Sequence, residues 1–130
     1  MVIDTSAILA ILFDEPEAEA FSIAVQQESV RLVSAATVLE SALVLQKRSG
    51  DKAPQVLDRV IRELPVEIRG VDLEQLKWAR YALETYGRGR HPARLNFGDC
   101  FSYALAKATG EPLLFKGNDF SRTDLTAVIL

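Results

Sequence analysis

Cysteine occurs once in this chain, at Cys100, so no internal disulfide can form and a reducing compartment suits the protein. A lone thiol of this kind reads as a small core residue. Histidine also occurs once, at His91, and reads as a loop residue. No apolar run reaches the roughly 20 residues that a membrane-spanning helix needs. Strand-like residues begin at Val2, with no basic segment, apolar stretch or small-residue cleavage site before them. These absences predict a cytoplasmic protein with no membrane attachment. Neither glycine pattern for binding a nucleotide phosphate is present, and the G-x-S-x-G elbow of serine hydrolases is missing too.

What remains is a chain of 130 residues, 48% hydrophobic and 25% charged, which predicts one soluble globular domain over 1–130. The formal net charge of −3 argues mildly against a surface coated for nucleic acid. The excess is small, however, and cations held by four carboxylates would reverse its sign. A basic patch is available in "GRGRHPAR", where Arg88, Arg90 and Arg94 share a loop with glycine and proline.

Apolar patterning predicts alternating strands and helices. "VI" reads as a short strand ending at Asp4, with the helix "SAILAILF" after it. Pro16 suits the first position of a helix running to about residue 28. "VRLVSA" reads as a strand, and "TVLESALVLQKRSG" as a helix with Thr37 and Glu40 spaced as a capping box and Gly50 as its stop. A helix over about 51–63 and a strand in "PVEIRGV" follow. "DLEQLKWARYALETYG" is strongly periodic, with Asp72 and Gln75 spaced as a capping box, Gly87 as a stop, and Trp78 and Tyr81 as packing residues. The helix "LNFGDCFSYALA", the strand "PLLF", the turn "KGND" and a last strand "TAVIL" complete the order. Strict alternation of this kind implies an α/β fold with a mainly parallel sheet, whose ligands gather beyond the carboxyl ends of the strands.

Four carboxylates fall at that edge. Asp4 follows the first strand, Glu40 and Asp99 lie in first helical turns, and Asp119 follows the fourth strand. Capping and turn chemistry explain each one singly: Asp4 can cap its helix, and Asn96 with Asp99 forms a box. Local structure does not explain why every junction on one edge carries an acid. Bunched carboxylates repel and raise one another's pKa unless cations bind them. Hard oxygen ligands without histidine or cysteine suit Mg²⁺ or Mn²⁺, one or two ions, and such sites hydrolyse phosphodiesters.

The segments "MVIDTSAILAIL", "ATVLESALVL", "LNFGDCFSYALA" and "LLFKGNDFSRTDL" resemble, in order and from end to end, the PIN-domain ribonucleases, most closely the VapC-type toxins of toxin-antitoxin pairs. The resemblance implies a three-layer α/β/α domain around a parallel sheet of about five strands. It implies an endoribonuclease cutting structured RNA, transfer or ribosomal, to leave a 5′-phosphate and a 3′-hydroxyl. On the matching positions the resemblance implies Asp4 and Asp99 as the principal metal ligands, completed by Glu40 and Asp119 directly or through water, while Thr5, Ser6 and Asn118 orient the carboxylates or a bound phosphate. Asp124 also matches and is placed as a structural residue. A homodimer and a VapB-type antitoxin crossing the acidic pocket are the implied partners, with the helices near 16–28 and 37–48 as contact surfaces. Two other readings remain: an RNA-processing nuclease outside any toxin system, and a non-catalytic PIN-like binding module. A haloacid-dehalogenase-like phosphatase is disfavoured, because Ser6 stands where that family needs a second aspartate.

Overall fold

In the computed structural model, which describes residues 1–130, four short parallel strands form one sheet. They are β1 (Val2–Ile3), β2 (Leu32–Ser34), β3 (Glu67–Arg69) and β4 (Leu113–Leu114), in the order β3-β2-β1-β4. Six helices connect them: α1 (Thr5–Leu12), α2 (Ala18–Gln27), α3 (Ala35–Ser49), α4 (Ala53–Glu63), α5 (Leu73–Tyr86) and α6 (Phe97–Thr109). Single 3₁₀ turns occupy Gly50–Lys52 and Phe120–Arg122.

Period-two alternation divides the strands between two cores. Val2, Leu32 and Leu113 face the side covered by α5 and α6, packing with Ala82, Leu95, Tyr103 and Leu105. Ile3, Val33 and Leu114 face the other side, where Ala7 and Ile8 of α1 and Phe21 and Val25 of α2 cover them. The three-layer arrangement is therefore present. A smaller cluster of Leu45, Ala53 and Leu57 fastens α3 to α4. Strand β3 is exposed throughout and carries Glu67 and Arg69, charges that protect a free sheet edge from further pairing.

The sheet has four strands rather than five. "TAVIL" makes only one parallel bridge, Leu113 with Ala127, through Leu113 N to Thr126 O at 2.9 Å and Val128 N to Leu113 O at 3.0 Å. Strand β4 is two residues long and offers no longer ladder, and Ile129 and Leu130 beyond the bridge are exposed. The helix expected from Pro16 begins at Ala18, after a turn in which Asp14 takes a positive φ of 50°.

From β1 the chain proceeds outward to β2 and β3, then returns to place β4 on the opposite side of β1. The connections thus diverge between β1 and β4, the place where open α/β sheets bind ligands beyond the carboxyl ends of their strands.

Candidate active site

Asp4 stands at that divergence. Its backbone N–H donates to Leu114 O at 2.9 Å, which fixes the residue between the ends of β1 and β4. Its side chain caps α1 and is only 3% exposed. Oδ2 accepts from Ser6 N at 2.9 Å and from Ser6 Oγ at 2.6 Å, while Oδ1 accepts from Ser102 Oγ at 2.6 Å. Three donors hold one buried carboxylate, which meets the cost of burying it.

The hydroxyls around Asp4 extend inward and outward. Thr37 Oγ1 lies 3.2 Å from Ser102 Oγ, and because the Ser102 proton points to Asp4, Thr37 donates to Ser102. Ser6 Oγ accepts from Lys116 N at 3.0 Å, tying Asp4 to the loop that carries Asp119. Ser102 and Thr37 are functional neighbours that the sequence reading missed. The available signal was spacing, since Ser102 lies three residues after Asp99 and so on the same face of α6.

Asp99 forms the full capping box: Asp99 N donates to Asn96 Oδ1 at 2.9 Å, and Asn96 N donates back to Asp99 Oδ2 at 2.9 Å. Burial pushes the Asp99 carboxyl up to about 7, against the lowering effect of the Asn96 N–H, and the charges of Asp4, Asp119 and Glu40 add to the rise. Glu40 is likewise raised, first by burial, with the Thr5 hydroxyl opposing and the Asp4 charge reinforcing. Asp119 is exposed at the start of the second 3₁₀ turn, without a side-chain cap bond. The charges of Asp4, Glu40 and Asp119 are thus all felt at Asp99.

The box expected at Thr37 and Glu40 is absent. Ser34 caps α3 instead, accepting from Ala36 N at 3.3 Å, so Glu40 lies in the second turn and Thr37 is buried. Of the three residues expected to support the carboxylates, Ser6 binds Asp4 and Thr5 stands by Glu40. Asn118 is exposed and engages through its carbonyl, which accepts from Ser121 Oγ at 2.6 Å. Arg88, Arg90 and Arg94 are all exposed on the loop leading into α6, closed at its base by Leu95 N to Tyr86 O at 2.9 Å. His91 is a loop residue whose Nδ1 accepts from Ala93 N at 3.0 Å. Cys100 is buried, and burial raises its thiol to about 11.

No three of the acidic side chains stand close enough to enclose an ion by themselves. Asp4 is turned to its hydroxyls and Asp99 to the Asn96 N–H. The donor set nevertheless fits a hard divalent cation. It is all oxygen, and Asp99 shows the mutual repulsion that such a cation relieves.

Comparison with known proteins gives a match to the PIN domain over residues 1–125. The chain belongs to the PIN-domain family. Within that family it is of the VapC type. It is 52% identical over 130 residues to a VapC ribonuclease of Mycobacterium bovis and to ribonuclease VapC30 of Mycobacterium tuberculosis, covering 100% of this chain and 99% of each relative. Ribonuclease VapC of Mycolicibacterium smegmatis is 52% identical over 128 residues, covering 98% of this chain and 99% of that protein. Among solved structures, Mycobacterium tuberculosis VapC20, described as a sarcin-ricin loop cleaving toxin, superposes with a TM-score of 0.75 at 21% identity, covering 98% of this chain and 97% of that one. VapBC2 of Rickettsia felis, bound to a promoter DNA fragment, gives 0.73 at 14% identity, with 98% and 96% covered. These two likenesses carry the fold, which is that of PIN-domain VapC toxins.

Proposed function

We propose that this chain is an endoribonuclease dependent on Mg²⁺ or Mn²⁺, the toxin of a toxin-antitoxin pair, with residues 1–130 acting as a single catalytic domain. The observation that carries the reading is the Asp99 carboxyl, driven up to about 7 beside the buried Asp4 in a chain 52% identical to named VapC ribonucleases. Structured RNA, transfer or ribosomal, is the substrate class, in keeping with the RNA cleavage named for VapC20.

Asp4 and Asp99 would hold the metal, with Glu40 and Asp119 completing the set directly or through water. A bound divalent ion supplies charge neutralisation at the scissile phosphate and a water of lowered pKa. The chain's own residues do the rest. Ser6 and Ser102 hold Asp4 in one rotamer, Thr5 steadies Glu40, and Asn96 aims Asp99. Arg88, Arg90 and Arg94 offer exposed positive charge to the RNA backbone on the approach to α6. A second copy of this chain and a VapB-type antitoxin are the proposed protein partners. A lysine or arginine of the antitoxin entering the acidic site would replace the metal's charge. No helix is long and apolar enough to cross a membrane, and the proposed setting is the cytoplasm.

The test is cleavage of purified transfer and ribosomal RNA with Mg²⁺, with Mn²⁺ and with chelator. Cutting in metal alone, leaving 5′-phosphate and 3′-hydroxyl ends, is expected. Asp4→Ala and Asp99→Asn should stay folded and lose at least about a hundredfold in rate. A 2′,3′-cyclic phosphate end would replace this chemistry by attack of the RNA's own 2′-hydroxyl. Binding without turnover in every metal would make the protein a binding module.

A further inference from the structure

Gly98 lies within the first turn of α6, between Phe97 and Asp99. A Cβ added there would fall 1.4 Å from Glu40 Oε2, 2.4 Å from its Cδ and 2.9 Å from its Oε1. The Glu40 carboxylate thus fills the space that any side chain at position 98 would take. We propose that Gly98 is a positioning residue, which by lacking a side chain seats the Glu40 carboxylate against the first turn of α6 beside Asp99.

Backbone conformation does not account for the glycine. The positive-φ glycines of this chain are Gly50, Gly89, Gly110 and Gly117, and Gly98 is helical. Glycine weakens a helix relative to alanine, so on local grounds alanine is the better residue here. Gly87 makes a useful contrast. A Cβ there would meet the main-chain oxygen of Leu83 at 2.3 Å, an obstacle that cannot move without distorting α5. At Gly98 the obstacle is the far end of a flexible side chain. Substitution therefore spares the fold and displaces the carboxylate.

Two surroundings make the seat worth keeping. The first turn of a helix presents N–H groups without intrahelical partners and favours a negative charge close by. Glu40 and Gly98 both line an open groove of about 550 Å³ whose walls include Leu39, Leu43, Phe97 and Phe101. A carboxylate expelled from Gly98 would move out among these apolar walls.

The inference rests on reading the four acids as one nuclease site, and a four-protein cycle separates the two. Wild type, Gly98→Ala, Glu40→Ala and the double variant are compared by melting temperature in chelator and by RNA cleavage in Mn²⁺. In the Glu40→Ala background, Gly98→Ala should raise the melting temperature by a few degrees, because the helix gains and nothing is displaced. In the wild-type background the gain should be at most half as large. Cleavage by Gly98→Ala should fall at least about tenfold, toward the Glu40→Ala level, and the second substitution should add less than about twofold to Glu40→Ala. Equal melting shifts in both backgrounds would overturn the proposal, as would wild-type cleavage by Gly98→Ala. If the wild type cuts no RNA, the nuclease reading fails, while the melting cycle still decides whether Gly98 seats Glu40.

Discussion

Asp99 answers two demands at once: its carboxylate closes the cap of α6, and its charge repels three neighbouring acids. The cap was legible in the sequence, because "NFGD" places Asn96 and Asp99 three residues apart and both halves of the box are local. The repulsion was expected from four acids at one sheet edge, but the burial that contributes most to the shift follows only from the fold. The raised pKa, set first by burial and then by these charges, has a measurable sign. With its folded pKa raised to about 7 from an ordinary 3.8, the folded protein holds a proton that the unfolded chain has already released. Stability from this group is complete at the acid end and is lost as pH rises through about 7. Asn mimics the neutral acid and keeps an oxygen for the Asn96 N–H. In chelator, Asp99→Asn should therefore melt with the wild type near pH 4 and above it at pH 8, by on the order of 5 °C. With Mn²⁺ in excess the order should reverse, since only the wild type gains ligand-binding stability. Calorimetry across that pH range, with and without metal, checks both halves; a constant gap at all pH values would deny the raised pKa.

Among the elements, junctions with local chemistry were readable and those decided by tertiary packing were not. Helix α3 shows why. Thr37 and Glu40 have the spacing of a capping box, but β2 passes directly into the helix and Ser34, its last residue, serves as the cap. Thr37 lies inside α3 with its hydroxyl on Ser102, a contact 65 positions away that no local pattern reports. Ser34→Ala should accordingly cost about 1 kcal/mol in urea unfolding, the usual worth of an N-cap. The α5 box is only half made: Asp72 Oδ1 accepts from Gln75 N at 2.8 Å, while the Gln75 amide donates to Gly70 O at 2.9 Å. Asp124, placed from the sequence as structural, is bound away from the acid cluster. It accepts from the buried Tyr103 hydroxyl at 2.7 Å and from Lys107 Nζ at 2.8 Å. Burial works to raise its pKa, but Lys107 and Tyr103 outweigh it and leave the carboxyl below its ordinary value. Asp124→Ala strands the Tyr103 hydroxyl and should cost about 1–2 kcal/mol. Its cleavage rate per folded molecule should match the wild type, whereas a site residue would lose rate per folded molecule.

For the molecule as a whole, the question is how a chain of net charge −3 meets a polyanion. Parallel strands send every β-to-α junction to one edge, which is why scattered acids could be read from the sequence as a single site. The α5–α6 loop runs into the start of α6, where Asp99 lies, and on the proposed function its Arg88, Arg90 and Arg94 would face the approaching RNA. Arg94 even holds a φ of 53°, a left-handed conformation unfavourable for a residue with a side chain. Local charge of this kind accelerates encounter and lowers KM, but it does not touch the bond being cut. Replacing all three arginines by glutamate should therefore raise KM for RNA at least about tenfold at low salt and leave kcat within about twofold. The salt dependence of kcat/KM should also flatten, because fewer counterions are released from the RNA on binding. Steady-state kinetics at several salt concentrations read both effects; a fall in kcat with unchanged KM would place the loop in the chemistry instead of on the path to it.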